Sequence, residues 1–464
     1  MRVKHLRLPV SFSLLSLASV ATLAALGGLA ACSSSSETAS AAPGTVEPTP
    51  DGGEAPEGEG GPGAPDGSVT PPVAPGAVDP SFGTKGVASG TAAATPTIRF
   101  SGDGRTVVFE HKTNVYATFT ALVANGTLDT THGKEGLAEV MIPNAMNHSQ
   151  SLNATARIEN DGSVLVSGGM KQENVYYVPF IGRVTGNSLD YTFGNPPGGL
   201  WTFPDVYATA GRVLVEHNSA GAATGFYTMV SFSSLGGAGG TTPREASVRV
   251  YHLTAAGVTD TAFGGGKGYF ELPVIGDLAL DASGLPIVLT SVSGGSLEAR
   301  RLTKAGALDT TYGSAGVAVI GWAGQTSFGT SSIVAPAKGG LLLALSSGPG
   351  AARIVRLDAK GATAEAFPGS PSRDLPDARL QLDELKDGRL LVTSYGISKT
   401  TLERWLADGK PDTVFGTAGK VDLATVAGAG VLSAVGVTST GATMLATTTS
   451  TGSSTQWSVR RLGP

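Results

Sequence analysis

Short apolar runs recur from residue 76 to the end of the chain, and a glycine shortly precedes each run. Asp103-Gly104 leads into Val107-Val108-Phe109, and Asp387-Gly388 leads into Leu390-Leu391-Val392. Asp-Gly between apolar runs is a strong hairpin signal, because both residues tolerate the positive φ angles of the turn. The pattern predicts seven hairpins, whose turn glycines are Gly104, Gly162, Gly211, Gly284, Gly340, Gly388 and Gly441.

A second pattern, G-x-L-D-x-x-F-G-x-x-G, recurs in step with the predicted hairpins. Its most regular copy runs from Gly306 to Gly316. An eroded copy begins at Gly361, with Ala364 in place of the aspartate and Pro368 after the aromatic residue. The other copies begin at Gly76, Gly126, Gly186, Gly257 and Gly409. Self-similarity at a regular spacing is the signature of a repeat architecture.

The order of the repeats predicts a closed ring. The last strand, Trp457–Leu462, resembles Glu298–Leu302, the strand that leads into the copy at Gly306. The last repeat therefore stops where the first begins, and the N-terminal segment can complete the final sheet. We predict an all-β fold over residues 76–464, a seven-bladed β-propeller of roughly 48 to 70 residues per repeat. An open solenoid would normally carry atypical capping repeats at both ends.

The repeat resembles the delta-60 repeat family, a propeller-forming repeat common in secreted myxobacterial proteins. The resemblance covers residues 76–464, and it implies the propeller fold without implying an activity. His132 and Tyr312 depart from the phenylalanine of the pattern.

The N-terminal residues 1–31 have the pattern of a secretory signal. Arg2, Lys4 and Arg7 are followed by a run without charge from residue 8 to residue 31. The run ends in Leu29-Ala30-Ala31-Cys32, which resembles the lipobox of bacterial lipoproteins. That resemblance implies cleavage before Cys32, a diacylglyceryl group on its thiol and a further acyl chain on the new amine. Several chains, at about 0.8 kcal/mol per buried methylene, anchor far better than one.

Two other interpretations of this run stay open, an uncleaved transmembrane helix and an ordinary signal peptide with a chance cysteine. A polar tract rather than a basic stop-transfer cluster follows the run, which favours the lipid anchor. Ser33 lacks the acidic character that favours inner-membrane retention in such lipoproteins. We therefore expect a protein anchored in the outer membrane through lipid on Cys32, facing either the periplasm or the exterior.

Residues 32–75 are predicted to form a disordered tether after the lipidated cysteine. The segment is built from Ser, Ala, Gly, Pro and acidic residues, and it cannot bury enough apolar surface to offset its chain entropy. Residues 58–63 match G-x-G-x-x-G, but no strand precedes them and Pro62 stands where a helix would begin. The match does not indicate nucleotide binding.

Composition argues against a nucleic-acid partner, a disulfide framework and a helical fold. A formal net charge of -5 and a pI near 5.7 provide no basic field for a phosphate backbone, so nucleic acid is not expected as a partner. The single cysteine excludes a disulfide framework and a multi-cysteine metal site. The 66 glycines and 27 prolines argue against a helical protein, while the 41% hydrophobic content provides a core.

The repeated aspartates are the most conspicuous candidate ligands, since a ring of carboxylates suits calcium. Each stands alone between a strand end and a turn, so capping of main-chain N–H groups is the favoured interpretation. The Phe-Gly pairs are interpreted as packing beside a bend. Four tryptophans offer either a sugar-binding face or core packing, and core packing is favoured. The six aspartates are Asp79, Asp129, Asp190, Asp260, Asp309 and Asp412, and the tryptophans are Trp201, Trp322, Trp405 and Trp457.

The sequence contains no motif of a familiar catalytic site. The six histidines are scattered without H-E-x-x-H, and neither G-x-S-x-G nor a P-loop occurs. No catalytic, cofactor-binding or metal-binding residue is therefore assigned. The predicted function is a binding or scaffolding module for an envelope protein or polysaccharide. The alternative is a glycan lyase or hydrolase whose groups converge from different blades at the channel mouth and leave no local signature.

Overall fold

The computed structural model describes residues 72–464 with internal gaps. The predicted signal peptide, Cys32 and the tether as far as residue 71 lie outside the described residues. The gaps are residues 112–115, 142–154, 160, 173–175, 195–197, 204–207, 219–221, 233–246, 274–275, 293–294, 326–327, 335–338, 348–350, 365–366, 368–371, 376–378, 396–399 and 427–429.

Thirty described strands form seven antiparallel sheets, which are the blades of a β-propeller. Strand β1 (Ala88–Ala92) precedes blade 1 in the chain and belongs to blade 7. Blade 1 contains β2 (Thr97–Phe100), β3 (Thr106–His111), β4 (Tyr116–Leu122) and β5 (Leu137–Met141). Blade 2 contains β6 (Thr155–Ile158), β7 (Val164–Gln172), β8 (Tyr176–Thr185), β9 (Ser188–Leu189) and β10 (Leu200–Thr202). Blade 3 contains β11 (Ala208–His217), β12 (Ala223–Phe232), β13 (Ser247–Thr254) and β14 (Tyr269–Leu272).

The remaining blades follow in chain order. Blade 4 contains β15 (Gly276–Leu280), β16 (Pro286–Val292), β17 (Ser296–Arg301) and β18 (Val317–Gly321). Blade 5 contains β19 (Gly329–Val334), β20 (Leu341–Ser346), β21 (Ala352–Leu357), β22 (Thr363–Ala364) and β23 (Ser372–Leu375). Blade 6 contains β24 (Leu380–Glu384), β25 (Leu390–Tyr395), β26 (Thr400–Trp405) and β27 (Lys420–Val421), and α1 (Leu423–Val426) follows it. Blade 7 contains β28 (Val431–Val437), β29 (Thr443–Ser450) and β30 (Thr455–Leu462), with β1 as its outer strand.

The ring closes as the sequence predicts, by pairing of the N-terminal strand with the C-terminal strand. β1 runs antiparallel to β30 in a register from Ala88↔Val459 to Ala92↔Thr455. Pro75, inside the predicted tether, also bridges Gly463. The ordered contacts therefore begin slightly before the predicted boundary at residue 76.

The core consists of seven apolar clusters among the described residues, one between each pair of neighbouring blades and one between blades 7 and 1. β20 shows how a strand serves two clusters. Leu341 and Leu343 pack towards blade 4, while Leu342 and Ala344 pack towards blade 6. Successive side chains of a strand point to opposite faces, so a strand covered on both sides is apolar throughout.

Six of the seven predicted hairpin turns are confirmed, with φ between 74° and 89° at their glycines. The prediction at Gly211 was wrong. This glycine lies inside β11, where the pairing with β12 shifts register between Ala210 and Val213. The turn falls later, where Asn218 N–H donates to Ala222 O at 3.0 Å. A glycine between apolar runs marks a bulge as well as a turn, and the run alone does not separate the two.

The antiparallel order gives the propeller two different ends. We call the end with the first-to-second turns and the third-to-outer loops the repeat face, because the recurring motif lies there. The connections from second to third strand and from blade to blade lie at the opposite end, the variable face. Their lengths differ widely, from residues 293–295 in blade 4 to residues 233–246 in blade 3.

The described residues hold no helix with the length and apolar character needed to cross a bilayer. The one helix among them, α1, has four residues.

The closure of the ring is tested at Gly90 of β1, which pairs with Trp457 of β30. A Cβ at Gly90 would overlap the Trp457 ring. Gly90→Ala should lower the free energy of unfolding by about 1–3 kcal/mol, the usual cost of overpacking, as measured by urea titration. Gly321→Ala is the matched control, since it places the same Cβ on the outer strand of blade 4 with no atom within 4 Å. Equal stability of the two variants would contradict a tight closure.

Candidate functional site

In six of the seven copies, the aromatic position of the repeat packs against the first glycine of the next copy; the exception is His132, whose next glycine is Gly186. A Cβ at Gly306 would lie 2.8 Å from the ring of Phe263, and one at Gly76 would lie 3.2 Å from Phe415. The seven aromatic side chains of this set are all buried, namely Phe82, His132, Phe193, Phe263, Tyr312, Phe367 and Phe415. The Phe-Gly pairs therefore join neighbouring blades, as the packing interpretation predicts, and form no ligand cage.

The last glycine of the repeat closes a two-residue turn that leads into the outer strand. In the first copy, Thr84 N–H donates to Val87 O at 2.8 Å, while Lys85 and Gly86 have φ of 54° and 87°. Two positive φ angles in succession define a type I′ hairpin, which suits the twist of the strands that it joins.

The repeated aspartates have structural partners. Asp309 accepts the N–H of Thr311 at 3.0 Å and Nε of Arg301 at 2.8 Å. Nη1 of Arg301 then donates to Ala359 O in the next copy at 2.7 Å, and the guanidinium lies 4.7 Å from the centre of the Tyr312 ring. The hydroxyl of Thr311, its N–H and Arg301 together lower the pKa of Asp309. The carboxylate thus holds its own turn and orients the arginine that reaches the neighbouring blade.

The carboxylates of the repeat do not converge. Arg461 pairs with Asp79, Arg183 with Asp190 and Arg404 with Asp412, each within one blade. Throughout the part of the chain that the structure describes, no three His, Cys, Asp or Glu side chains are grouped as a metal ion would require.

Blade 3 places a histidine where blades 2, 4, 6 and 7 use this arginine. His252 Nδ1 lies 2.8 Å from Asp260 Oδ2, and Nε2 lies 3.1 Å from Glu216 Oε2. Burial disfavours its charged form, but the two carboxylates outweigh burial and raise the pKa of His252. Tyr227 stacks on the imidazole with ring centres 4.6 Å apart and donates to Glu216. Sequence reasoning did not find this cluster, although a histidine at an arginine position was a usable signal.

A second cluster joins blades 2 and 3. Buried Glu159 accepts Nε of Arg157 at 2.8 Å and lies 3.2 Å from Nε2 of His217. Burial opposes ionisation of Glu159, yet His217 and Arg157 lower its pKa overall. Both clusters therefore contain mutually neutralising groups held between neighbouring strands.

All four tryptophans are buried, which confirms the prediction of core packing. Trp201 Nε1 donates to Thr259 Oγ1 at 2.9 Å, and Arg373 lies 3.9 Å from the centre of the Trp405 ring. Cys32, the predicted lipidation site, lies outside the described residues.

A polar groove of about 360 Å³ crosses β1, β30 and β29 of blade 7 near the variable face and reaches Gly430, just before β28. We call it the blade-7 groove. It is lined by Ser89, Gly90, Thr91, Gly430, Thr447, Thr449, Gln456, Trp457, Ser458 and Arg460. These residues come from both ends of the folded chain, so sequence reasoning had no local motif by which to find the groove.

Two hydroxyls and a guanidinium are hydrogen-bonded in the lining of the blade-7 groove. Thr447 Oγ1 lies 2.8 Å from Ser458 Oγ, which also accepts Nη1 of Arg460 at 3.0 Å. Burial lowers the pKa of the Arg460 guanidinium. The described lining offers hydroxyl, amide and guanidinium groups, without carboxylate, imidazole or thiol. Such a set suits hydrogen bonding to a polar ligand rather than proton transfer.

No protein-family model and no curated protein matches this chain. Among solved structures, it is similar to BBS1N in complex with ARL6DN, with 12% identity, a TM-score of 0.42, and coverage of 81% of this chain and 94% of that chain. Polysaccharide lyase Uly1 has 8% identity and a TM-score of 0.46, with coverage of 85% and 98%. Prolyl oligopeptidase B from Galerina marginata has 10% identity and a TM-score of 0.45, with coverage of 78% of this chain and 47% of that chain.

The contacts of His252 predict a pH-dependent stability. In the folded protein the pKa of His252 is raised above the value of about 6.5 that it has in the unfolded chain. Its contacts therefore stabilise the folded state fully below about pH 6.5, and this stabilisation is lost as the pH rises through the pKa of the folded protein. His252→Arg introduces the arginine of blades 2, 4, 6 and 7 and removes this titration. The free energy of unfolding of the wild type, relative to His252→Arg, should therefore fall above about pH 6.5 in urea titrations. A difference that is flat with pH would contradict the charged histidine.

His132 is a control, because its pKa is shifted in the opposite direction to that of His252. Burial lowers its pKa more than Asp129 raises it, and its Nε2 has no hydrogen-bond partner among the described groups. Stabilisation by the neutral ring is therefore present above about pH 6.5 and is lost as the pH falls. Relative to His132→Phe, the wild type should lose stability on the acid side.

Proposed function

We propose that this protein is a lipid-anchored envelope protein whose propeller binds a protein or polysaccharide through its variable face. The difference between the two ends of the propeller is the observation that carries the proposal. Binding residues concentrate on loops of variable length that a rigid scaffold holds in place. Of the strand ends that meet at the variable face, Leu272 and Gly276 of blades 3 and 4 are separated by residues 273–275, whereas Met141 and Thr155 of blades 1 and 2 are separated by residues 142–154.

The repeat face is committed to holding the blades together. Arg461 bonds Asp79 and donates to Ala124 O at 2.8 Å, which joins blade 7 to the next copy of the repeat. The Gly264 N–H donates to Ala305 O at 2.9 Å across another junction. A surface whose polar groups already serve the scaffold has fewer groups to offer a partner, which supports placing the partner at the opposite end.

The proposed anchor gives this module its location. Lipid on Cys32 would hold the chain at the outer membrane, and about 43 residues of tether would follow it. A flexible chain of that length has a root-mean-square end-to-end distance of roughly 35 Å. The propeller would then reach partners beyond the headgroups while staying attached to the membrane.

The binding role is tested by shortening the longest connection on the variable face. Residues 233–246 are replaced by Ser-Gly-Gly, the connection that blade 4 uses at residues 293–295. Full-length protein is cross-linked in envelope fractions, and the captured proteins and polysaccharides are identified. We expect at least a tenfold loss of the species that the wild type captures.

The matched control for this experiment is Lys410→Glu, a charge reversal at an exposed residue of the repeat face. It should leave capture unchanged. Capture that survives the shortened connection and is lost with Lys410→Glu would place the partner on the repeat face and contradict the proposal.

The anchor is tested by Cys32→Ala. Palmitate labelling should fall to background, and the protein should move from the membrane fraction to the soluble fraction, because the acyl chains supply the membrane affinity. Ser33→Ala is the control and should keep both the label and the membrane location. Unchanged labelling of Cys32→Ala would contradict lipidation at this residue.

A further inference from the structure

We propose that the blade-7 groove is a saccharide-binding site. The proposal rests on the binding function above and names the ligand class for one site near the variable face. Three features of blade 7 support it: hydroxyls at a register where blades 3 and 5 have an ion pair, a groove that opens towards blade 6, and a lining of hydrogen-bonding groups.

Equivalent positions of the third strand carry different side chains in different blades. Arg249 of blade 3 stands three positions before His252, and Arg353 of blade 5 stands three positions before Arg356, which is the counterpart of Arg301. Arg249 pairs across strands with Glu271 at 3.2 Å, and Arg353 pairs with Asp374 at 2.8 Å.

Blade 7 has no ion pair at the equivalent register. Ser458, three positions before Arg461, pairs with Ser89 on the outer strand. Two hydroxyls thus stand at the register where blades 3 and 5 have a base and an acid. A hydroxyl donates one and accepts two hydrogen bonds, so this surface of blade 7 presents uncharged groups that suit a polar neutral ligand.

The groove lies on the side of blade 7 that faces blade 6. Leu445 and Leu462 pack in the cluster between blades 6 and 7, and Thr447 and Ser458 follow them with the period of two along β29 and β30. The groove therefore opens towards blade 6. The outer strand of that blade, β27, has two residues and pairs only with Leu402 and Glu403. The helix α1 follows and packs Leu423 and Val426 against the cluster between blades 6 and 7. Neither β27 nor α1 contributes a residue to the described lining of the groove.

The side chains that line the groove are hydrogen-bonding groups. Each Ser or Thr hydroxyl both donates and accepts, the Gln456 amide does the same through two atoms, and Arg460 donates. A saccharide presents a dense set of hydroxyls that match such groups. The volume of about 360 Å³ lies at the lower end of ligand pockets, which suits a short oligosaccharide segment.

A protein partner fits this groove less well. Protein contacts depend on apolar anchors and aromatic side chains that insert at the centre of the interface. Within the described lining, the one large apolar side chain is Trp457, which is 5% exposed and packs against Gly90. Peptide binding in the groove is therefore an outcome that would overturn the proposal.

The site has a thermodynamic consequence. Ser89 and Thr91 belong to β1, while Thr447, Gln456 and Ser458 belong to the two last strands. A saccharide that contacts both sets binds only the closed ring, so it stabilises closure by mass action. Binding should therefore raise the thermal midpoint of the propeller. Once the saccharide concentration exceeds the dissociation constant, the midpoint should rise with the logarithm of that concentration.

The experiment uses the full-length protein in a detergent without a sugar headgroup. The probes are maltotriose, cellotriose, chitotriose and a glucuronate-containing hyaluronan tetrasaccharide, together with an octapeptide library as the protein-type probe. Isothermal titration measures binding, and the thermal midpoint is recorded with each ligand. At least one saccharide should bind and raise the midpoint, while the peptides should not bind.

The variants separate the groove from the rest of the molecule. Thr447→Val combined with Ser458→Ala should weaken saccharide binding at least tenfold, since it removes two hydroxyls. Gln456→Ala, at an exposed position, is the second variant should the first fail to fold. Thr290→Val is the matched control, because Thr290 stands six residues after Gly284 as Thr447 stands six after Gly441. It should leave binding unchanged.

Two results would overturn the proposal, the absence of binding by every saccharide of the panel and binding that none of the groove variants weakens. Failure of this proposal is distinguishable from failure of the proposed function. Envelope capture that depends on residues 233–246 without saccharide binding would keep the function and reject the groove. Saccharide binding without such capture would keep the groove and reject the role of that connection.

Discussion

The antiparallel pairing of β1 with β30 joins the two ends of the folded chain, and the arrangement of the other blades depends on it. Every blade buries apolar side chains against both neighbours, so a ring with one junction missing would expose two apolar faces and two unpaired strand edges. Trp457 packing on Gly90 and Arg461 bonding to Asp79 both lie at this junction. Closure therefore turns a one-dimensional array of repeats into a molecule without open ends.

The recurring loop explains why the repeat keeps its few marked positions. Its aspartate holds a turn and an arginine, the arginine reaches the carbonyl of the next copy, and its aromatic ring fills the space beside the next glycine. The eroded copy shows how the junction survives without the aspartate. Arg373, from β23, donates to Gly409 O and stacks on Trp405. A guanidinium thus reaches the loop of the next copy from a different strand, at the first glycine of that copy rather than two residues before it.

The blades share the same strand pairing and differ in the side chains at equivalent positions. The His252 cluster and the blade-7 groove both result from such differences. In blade 3, His252 between two carboxylates takes the place of an arginine and brings a titratable group into a structural contact. In blade 7, Ser458 and Ser89 stand at the register where blades 3 and 5 have an ion pair, and they line a polar groove near the variable face. In each case the backbone register is preserved, because the strand pairing does not depend on these side chains.

The sequence by itself determined the all-β class, the number of blades, the closing pair of strands and the packing role of the tryptophans. These features follow from turn chemistry, period-two patterning and repetition, which are local or recur at a regular spacing. Only the tertiary structure decided that Gly211 is a bulge, that His252 lies between Glu216 and Asp260, and that ten residues meet in the blade-7 groove. Those outcomes depend on which side chains neighbouring strands bring together, and Ser89 and Ser458 are separated by nearly the whole folded chain until the ring closes.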